Sequence, residues 1–134
     1  ARPKAVDFSE DVKPLSEKEI DRIVSIFEKH GAQAKVSSIH VNGWFGTYDK
    51  LSMCKEYAKR ELKLDLDKTN EKFAFSGDSP NDEPMFAFFK NSFAVANIQN
   101  FITRIKDKPA YVAAKEGGQG FVEIANALVR KNSK

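Results

Sequence analysis

Three short apolar runs constrain this chain most: Phe73-Ala74-Phe75, Phe93 to Ala96, and Tyr111-Val112. Each is too short for a helix, and segments of helical period lie between them. Short buried strands alternating with helices imply an α/β fold with a largely parallel sheet. From Asp49 the helical stripe is Leu51, Cys54, Ala58 and Leu62, widened by Tyr57. A helix is expected to begin near Asn81, since Asp82 and Glu83 put negative charge in its first turn and Pro84 is tolerated there. Another should contain Phe101, Ile102 and Ile105. Gly117, Gly118 and Gly120 mark a turn before a last helix, where Phe121, Ile124, Ala125 and Leu128 fall at i, i+3, i+4 and i+7.

The first third reads differently. Residues 1–14, with two prolines and mixed charges, are expected to be an extended lead-in. Ser16 and Glu19 form a capping-box pattern, with Leu15 and Ile20 placed for a hydrophobic staple. Ile20, Ile23, Val24 and Phe27 then share a helix face, and Gly31 is the stop. Ala34 to Val41 reads as one strand and Asn42-Gly43 as the turn after it.

Composition narrows the function classes. The 134 residues are 41% hydrophobic, and eleven Phe are enough to build a core, so a disordered or fibrous chain is excluded. The net charge of +3 comes from interspersed signs, which argues against nucleic acid as a partner. Cys54 is the single cysteine, so no internal disulfide and no multi-thiol metal site can form. No apolar run reaches the roughly 20 residues that span a bilayer, so a membrane is not an expected partner. With no signal-peptide pattern, a soluble cytoplasmic protein is expected. The chain opens at Ala1 without Met, and its natural start is expected to lie elsewhere.

The chemistry-bearing segment follows the first apolar run: Gly77-Asp78-Ser79-Pro80-Asn81-Asp82. In open α/β sheets ligands bind at the carboxyl ends of strands, and Asp78 falls at such an end with Asp82 one turn further on. Two carboxylates so placed suit Mg²⁺, which takes hard oxygen ligands, a few from protein and the rest from water or phosphate. Gly77 lets the backbone approach closely, while Ser79 and Asn81 offer neutral hydrogen bonds. The same residues equally suit an acidic helix cap with no metal. Lys50 sits in the first turn of its helix, the wrong end for a cation against the helix dipole. A bound phosphate would relieve that conflict; the alternative is a solvated surface lysine.

These residues resemble the fourth motif of the haloacid dehalogenase superfamily of phosphatases. The similarity continues through Glu83-Pro84-Met85-Phe86, Ala94-Val95-Ala96-Asn97, Tyr111-Val112 and Gly117-Gly118-Gln119-Gly120-Phe121. Asp49-Lys50 stands where the family's third motif supplies its lysine. The order is most similar to the branch with an α/β cap inserted after the second motif, which includes sucrose-phosphate and mannosyl-3-phosphoglycerate phosphatases. The resemblance implies that residues 1–46 are the end of the cap and 47–134 the second half of a Rossmann-like parallel-sheet core. It further implies that Asp78 and Asp82 hold Mg²⁺, Asp82 through water. Lys50 and Asn81 would bind the phosphate, with Lys50 also steadying a nucleophilic aspartate.

One departure matters. The family's first motif, Asp-x-Asp-x-Thr after an apolar strand, supplies the nucleophile, and no such segment precedes the cap region; the second motif is not recognisable either. Asp65-Leu66-Asp67-Lys68-Thr69 fits the letters, but only Asn70, Glu71 and Lys72 separate it from the next strand. A parallel crossover needs a dozen or more residues, so this segment is expected to be a solvated helix-to-strand loop. The resemblance therefore implies the C-terminal part of a phosphatase, inactive alone. Its expected partners are a small phosphorylated metabolite and whatever covers the open sheet edge, either the missing N-terminal half of the core or another chain.

His40 and Asn42 end the expected cap strand and are candidate substrate contacts, with simple packing or hydrogen bonding as the alternative. Trp44, Phe45 and Tyr48, Cys54, and the Phe86, Phe88 and Phe89 group all read as packing residues. Three function classes stand: a Mg²⁺-dependent phosphomonoester hydrolase acting on a sugar phosphate or phosphoglycerate derivative, a non-catalytic regulatory or interaction module on the same fold, and a phosphomutase or phosphonate-cleaving relative.

Overall fold

The computed structural model describes residues 3–132. The chain divides into two compact units, Ala1–Tyr48 and Asp49–Lys134. The first holds β1 (Lys4–Asp7), α1 (Glu17–Lys29), β2 (Gln33–Val36) and β3 (His40–Trp44), with strand order β1-β3-β2 and antiparallel pairing throughout. Its core is Phe8, Ile20 and Val41, joined by Leu15, Ile23, Val24 and Phe27.

Helix α1 begins as the sequence indicates. The Ser16 hydroxyl oxygen accepts from the Glu19 amide, and the Glu19 carboxylate accepts from the Ser16 amide at 2.8 Å. Leu15 and Ile20 meet in the core as a staple. Beyond the helix, Gly31 takes φ +76°, which L side chains rarely adopt.

Two expectations fail here, one through a pairing partner distant in sequence and one through a local reversal of the chain. The extended lead-in contains β1, whose Lys4 to Asp7 lie in register with Gly43 to His40. The single strand expected over Ala34–Val41 is two, with the reversal at 37–39. There the Ser37 hydroxyl oxygen accepts from the His40 amide at 3.0 Å. Asn42-Gly43 is consequently not a turn but the middle of β3. Gly43 is needed because the Phe27 ring lies where a Cβ would stand.

The second unit is mixed α/β with a three-stranded parallel sheet, order β4-β5-β6. Its elements are α2 (Lys50–Arg60), α3 (Leu66–Thr69), β4 (Ala74–Gly77), α4 (Glu83–Phe88), β5 (Asn91–Ala94), β6 (Tyr111–Val112) and α5 (Gly117–Asn132). Leu51, Cys54 and Ala58 of α2 face a cluster with Leu66, Met85 and Phe89. Phe75 joins that cluster to a second one of Phe86, Ala94, Ile98 and Ile105.

Several details differ from the sequence reading. Tyr57 and Phe121, expected on apolar stripes, are 61% and 57% exposed. Residues 96–104 form 3₁₀ rather than α turns. The glycines at 117, 118 and 120 lie inside α5 rather than before it. At Gly120 a Cβ would strike the Lys115 carbonyl, so close backbone approach explains that residue.

Strand β4 is an edge. The Val95 amide donates to the Gly77 carbonyl at 3.1 Å, so the polar backbone of Gly77 faces β5. Alternation along the strand turns the amide and carbonyl groups of Ala74 and Ser76 the other way. Among the described residues no strand pairs with that side.

Candidate functional site

The chain leaves β4 at the carboxyl end of a parallel strand and enters a single 3₁₀ turn, Pro80–Asp82, before α4. Proline at the turn's first position presets φ where no amide donor is needed. Ser79 and Asp82 bracket it: the Ser79 amide donates to Asp82 Oδ2 at 3.4 Å, and the Asp82 amide donates to the Ser79 carbonyl at 3.0 Å. Both are only 3% exposed, so the Asp82 carboxylate must find partners inside the protein.

It does so at both oxygens. Oδ2 accepts from the Asp78 amide at 3.0 Å and from the Ser79 amide at 3.4 Å. Oδ1 pairs with the ammonium of Lys50, which is 32 positions away in sequence. This packing requires Gly77, because a Cβ there would stand 2.7 Å from Asp82 Cγ. The glycine thus serves close approach, as its place in the sequence indicated.

Lys50 is held at the start of α2. Asp49 caps that helix, its Oδ1 accepting from the Ser52 amide at 2.7 Å. The conflict between the ammonium and the positive end of the helix is therefore met internally, by the Asp82 carboxylate, where the sequence had offered a phosphate or a solvated surface lysine. The pair is lopsided: the Lys50 side chain is 47% exposed and that of Asp82 4%.

Asp78 is partly buried, and its carboxylate has no hydrogen bond or ion pair among the described residues. Asn81 is also partly buried, with its Oδ1 accepting the Ser79 hydroxyl at 2.6 Å. The donor set fits a hard divalent cation in one way. Asp78 is available as a direct oxygen ligand, whereas Asp82, committed at both oxygens, suits only contact through water.

The Asp-x-Asp-x-Thr letters fall elsewhere. Asp65 caps α3, its Oδ1 accepting from the Asp67 amide at 3.0 Å, and Thr69 Oγ1 donates to the Asp65 carbonyl at 2.7 Å. The segment is a helical turn with Leu66 buried, not the open loop expected. Asp67 pairs with Lys55 at 2.8 Å. Cys54 packs within the α2 core, as its place on the stripe indicated.

Lys50, Asp78, Asn81 and Asp82 therefore come together in the second unit, while His40 and Asn42 belong to the first. On β3 the two share a sheet face, with His40 opposite Asp7 and Asn42 between Ala5 and Lys35. His40 Nε2 lies 3.4 Å from Glu10 Oε2. Among the described residues Asp7, Glu10 and His40 are the one group of three side chains close enough to share a metal. Asp7, however, already accepts from the amides of Ser9, Glu10 and Asp11 at 2.8–2.9 Å. The Glu10 amide, then that of Asp11, holds its carboxyl below the usual range. Sequence reading missed this group because only the pairing of β1 with β3 creates it. It also missed the burial of Ser79, although Ser-x-x-Asp around a proline is a capping-box pattern.

No protein-family model matches the chain, and no curated protein matches it.

Proposed function

We propose that this chain is the C-terminal part of a Mg²⁺-dependent phosphomonoester hydrolase of the haloacid dehalogenase superfamily. Its substrate is a sugar phosphate or phosphoglycerate derivative, and its compartment the cytoplasm. The Lys50–Asp82 pair at the carboxyl end of β4 carries the reading. Two residues far apart in sequence converge where α/β sheets bind ligands, beside the unpartnered carboxylate of Asp78. A parallel sheet open at β4 supports a core whose next strand comes from the missing N-terminal half or from another chain. The antiparallel sheet and helix of the first unit support the end of an α/β cap, which carries the candidate substrate residues His40 and Asn42.

In this mechanism the Lys50 ammonium and the Asn81 amide donate to the phosphoryl oxygens. Asp82 holds Lys50 in place and orders the Asp78-Ser79 backbone. Asp78 would hold Mg²⁺ directly, and the ion would supply charge neutralisation at the phosphoryl group. The nucleophile is an aspartate on the strand that pairs with β4. Its carboxylate oxygen bonds to phosphorus as the ester P–O bond breaks, and the leaving alkoxide takes a proton from the general acid that the same absent motif supplies, departing as the alcohol. Water then attacks phosphorus and gives its proton back to that acid's conjugate base, freeing phosphate and regenerating the carboxylate.

The test is binding of inorganic phosphate to the 134-residue chain by titration calorimetry, with and without Mg²⁺. Phosphate binding that needs Mg²⁺, loses that dependence in Asp78→Asn and weakens in Lys50→Ala supports the reading. Binding indifferent to metal and to both substitutions overturns it. No binding at all favours the non-catalytic module, a reading consistent with Asp82 being fully engaged within the protein. The chain alone should not hydrolyse p-nitrophenyl phosphate; Mg²⁺-dependent turnover by the purified chain would return Asp65 or another acid as nucleophile.

A further inference from the structure

We infer that Ser79 is a positioning residue that aims the Asn81 amide, turning its two N–H donors toward the anion site. The inference rests on the phosphate-binding role proposed for Asn81 and adds the residue that sets it. A serine hydroxyl has one proton and two acceptor lone pairs. The Asp82 amide donates to the Ser79 backbone carbonyl at 3.0 Å and leaves the hydroxyl to the Asn81 side chain. The proton is left for Asn81 Oδ1, 2.6 Å away. With Ser79 only 3% exposed, water does not compete for that proton.

Pinning the oxygen of a planar amide fixes where the nitrogen points. Asn81 Nδ2 makes no hydrogen bond among the described residues, and the side chain is partly exposed. The end it presents is thus a pure donor, which suits an oxyanion. The flipped amide would present a carbonyl oxygen and repel one. Because neither group titrates, this contribution to anion binding does not vary with pH. Ser79 itself touches no ligand.

The experiment uses the ¹⁵N-labelled 134-residue chain, with inorganic phosphate and Mg²⁺ as the probe. Without ligand, NMR couplings and NOEs should show one fixed Asn81 side-chain conformer in the wild type. Ser79→Ala should average that conformer and weaken phosphate binding about three- to ten-fold, the effect of one lost hydrogen bond. Ser79→Thr keeps the hydroxyl and should restore both. Urea unfolding, run in parallel, shows that each variant is folded at the titration conditions. An Asn81 conformer equally fixed in folded Ser79→Ala overturns the inference, as does an averaged conformer in the wild type. A conformer that Ser79 fixes and Ser79→Ala frees, in a protein that binds no phosphate, upholds the positioning and rejects the phosphatase reading instead.

Discussion

Replacing Gly77 with alanine tests how the site is built without touching any residue that binds or reacts. The added Cβ would stand 2.7 Å from Asp82 Cγ and 2.9 Å from Asp82 Cβ. Carbon atoms settle at about 3.5–4.0 Å, so the carboxylate and the strand must part by roughly 1 Å. The amide bonds at 3.0 and 3.4 Å then stretch beyond bonding range. Overpacking of this kind costs about 1–3 kcal/mol, and each bond lost to a charged acceptor roughly 1.5–3 kcal/mol. Alanine offsets about 0.4–1 kcal/mol by stiffening the unfolded chain. With partial relaxation, the second unit should lose about 2–4 kcal/mol.

In urea, with a slope of about 2 kcal/mol per molar, the midpoint should fall by about 1–2 M. Native-state amide exchange locates the damage. The amides of Asp78 and Ser79, which donate to Asp82, should lose protection first, followed by Val95, which donates to Gly77. An unchanged midpoint with Asp78 still protected would mean that the Asp82 carboxylate does not occupy the place described.

Three other outcomes are expected. Gly43→Ala puts a Cβ 2.7 Å from Phe27 Cζ and should cost about 1–3 kcal/mol; combining it with Phe27→Leu should recover part of that in a urea double-mutant cycle. Ser16→Ala removes the cap of α1, worth about 1 kcal/mol, measured as thermal destabilisation of the first unit. The Ser16 hydroxyl and then its amide hold the Glu19 carboxyl below its usual range, and an NMR titration should find Glu19 moved upward in that variant. Because the Asp7 carboxyl is also held low, its bracket on residues 9–11 should be intact above about pH 4 and should fail as pH falls through the lowered value. Asp7→Asn should remove this acid dependence from the shifts of the Glu10 and Asp11 amides.

What was legible in the sequence was local. The α1 capping box needs only Ser16 and Glu19, and the α2 core stripe only the spacing of Leu51, Cys54 and Ala58. The parallel sheet followed from short apolar runs between helices. Where the strands were misread, pairing decided the outcome. Nothing in Lys4-Ala5-Val6-Asp7 announces a strand until β3 lies beside it. Asn42-Gly43 has turn chemistry, but the pairing of β3 and the ring of Phe27 hold it extended. Tyr57 falls beside the apolar stripe of α2 and still faces outward, since the narrow stripe of Leu51, Cys54 and Ala58 already makes the core contact.

The site shows the same division at higher stakes. Asp78, Asn81 and Asp82 lie in one hexapeptide, but the partner of Asp82 could be inferred from sequence only as a tension: a cation at the wrong end of α2. That tension is settled by a buried carboxylate rather than left entirely for a ligand. A phosphoryl group need not displace it. An ammonium has three donors; Asp82 Oδ1 takes one, and nearly half of the Lys50 side chain remains exposed for the others. Asp82 can then hold Lys50 in position while the remaining protons meet an anion. On the proposed reading, removing Asp82 should weaken phosphate binding through a disordered Lys50; with Asp82 in place, the charge-conserving Lys50→Arg should weaken it as well, since the guanidinium fork does not match a single carboxylate oxygen at the foot of a helix.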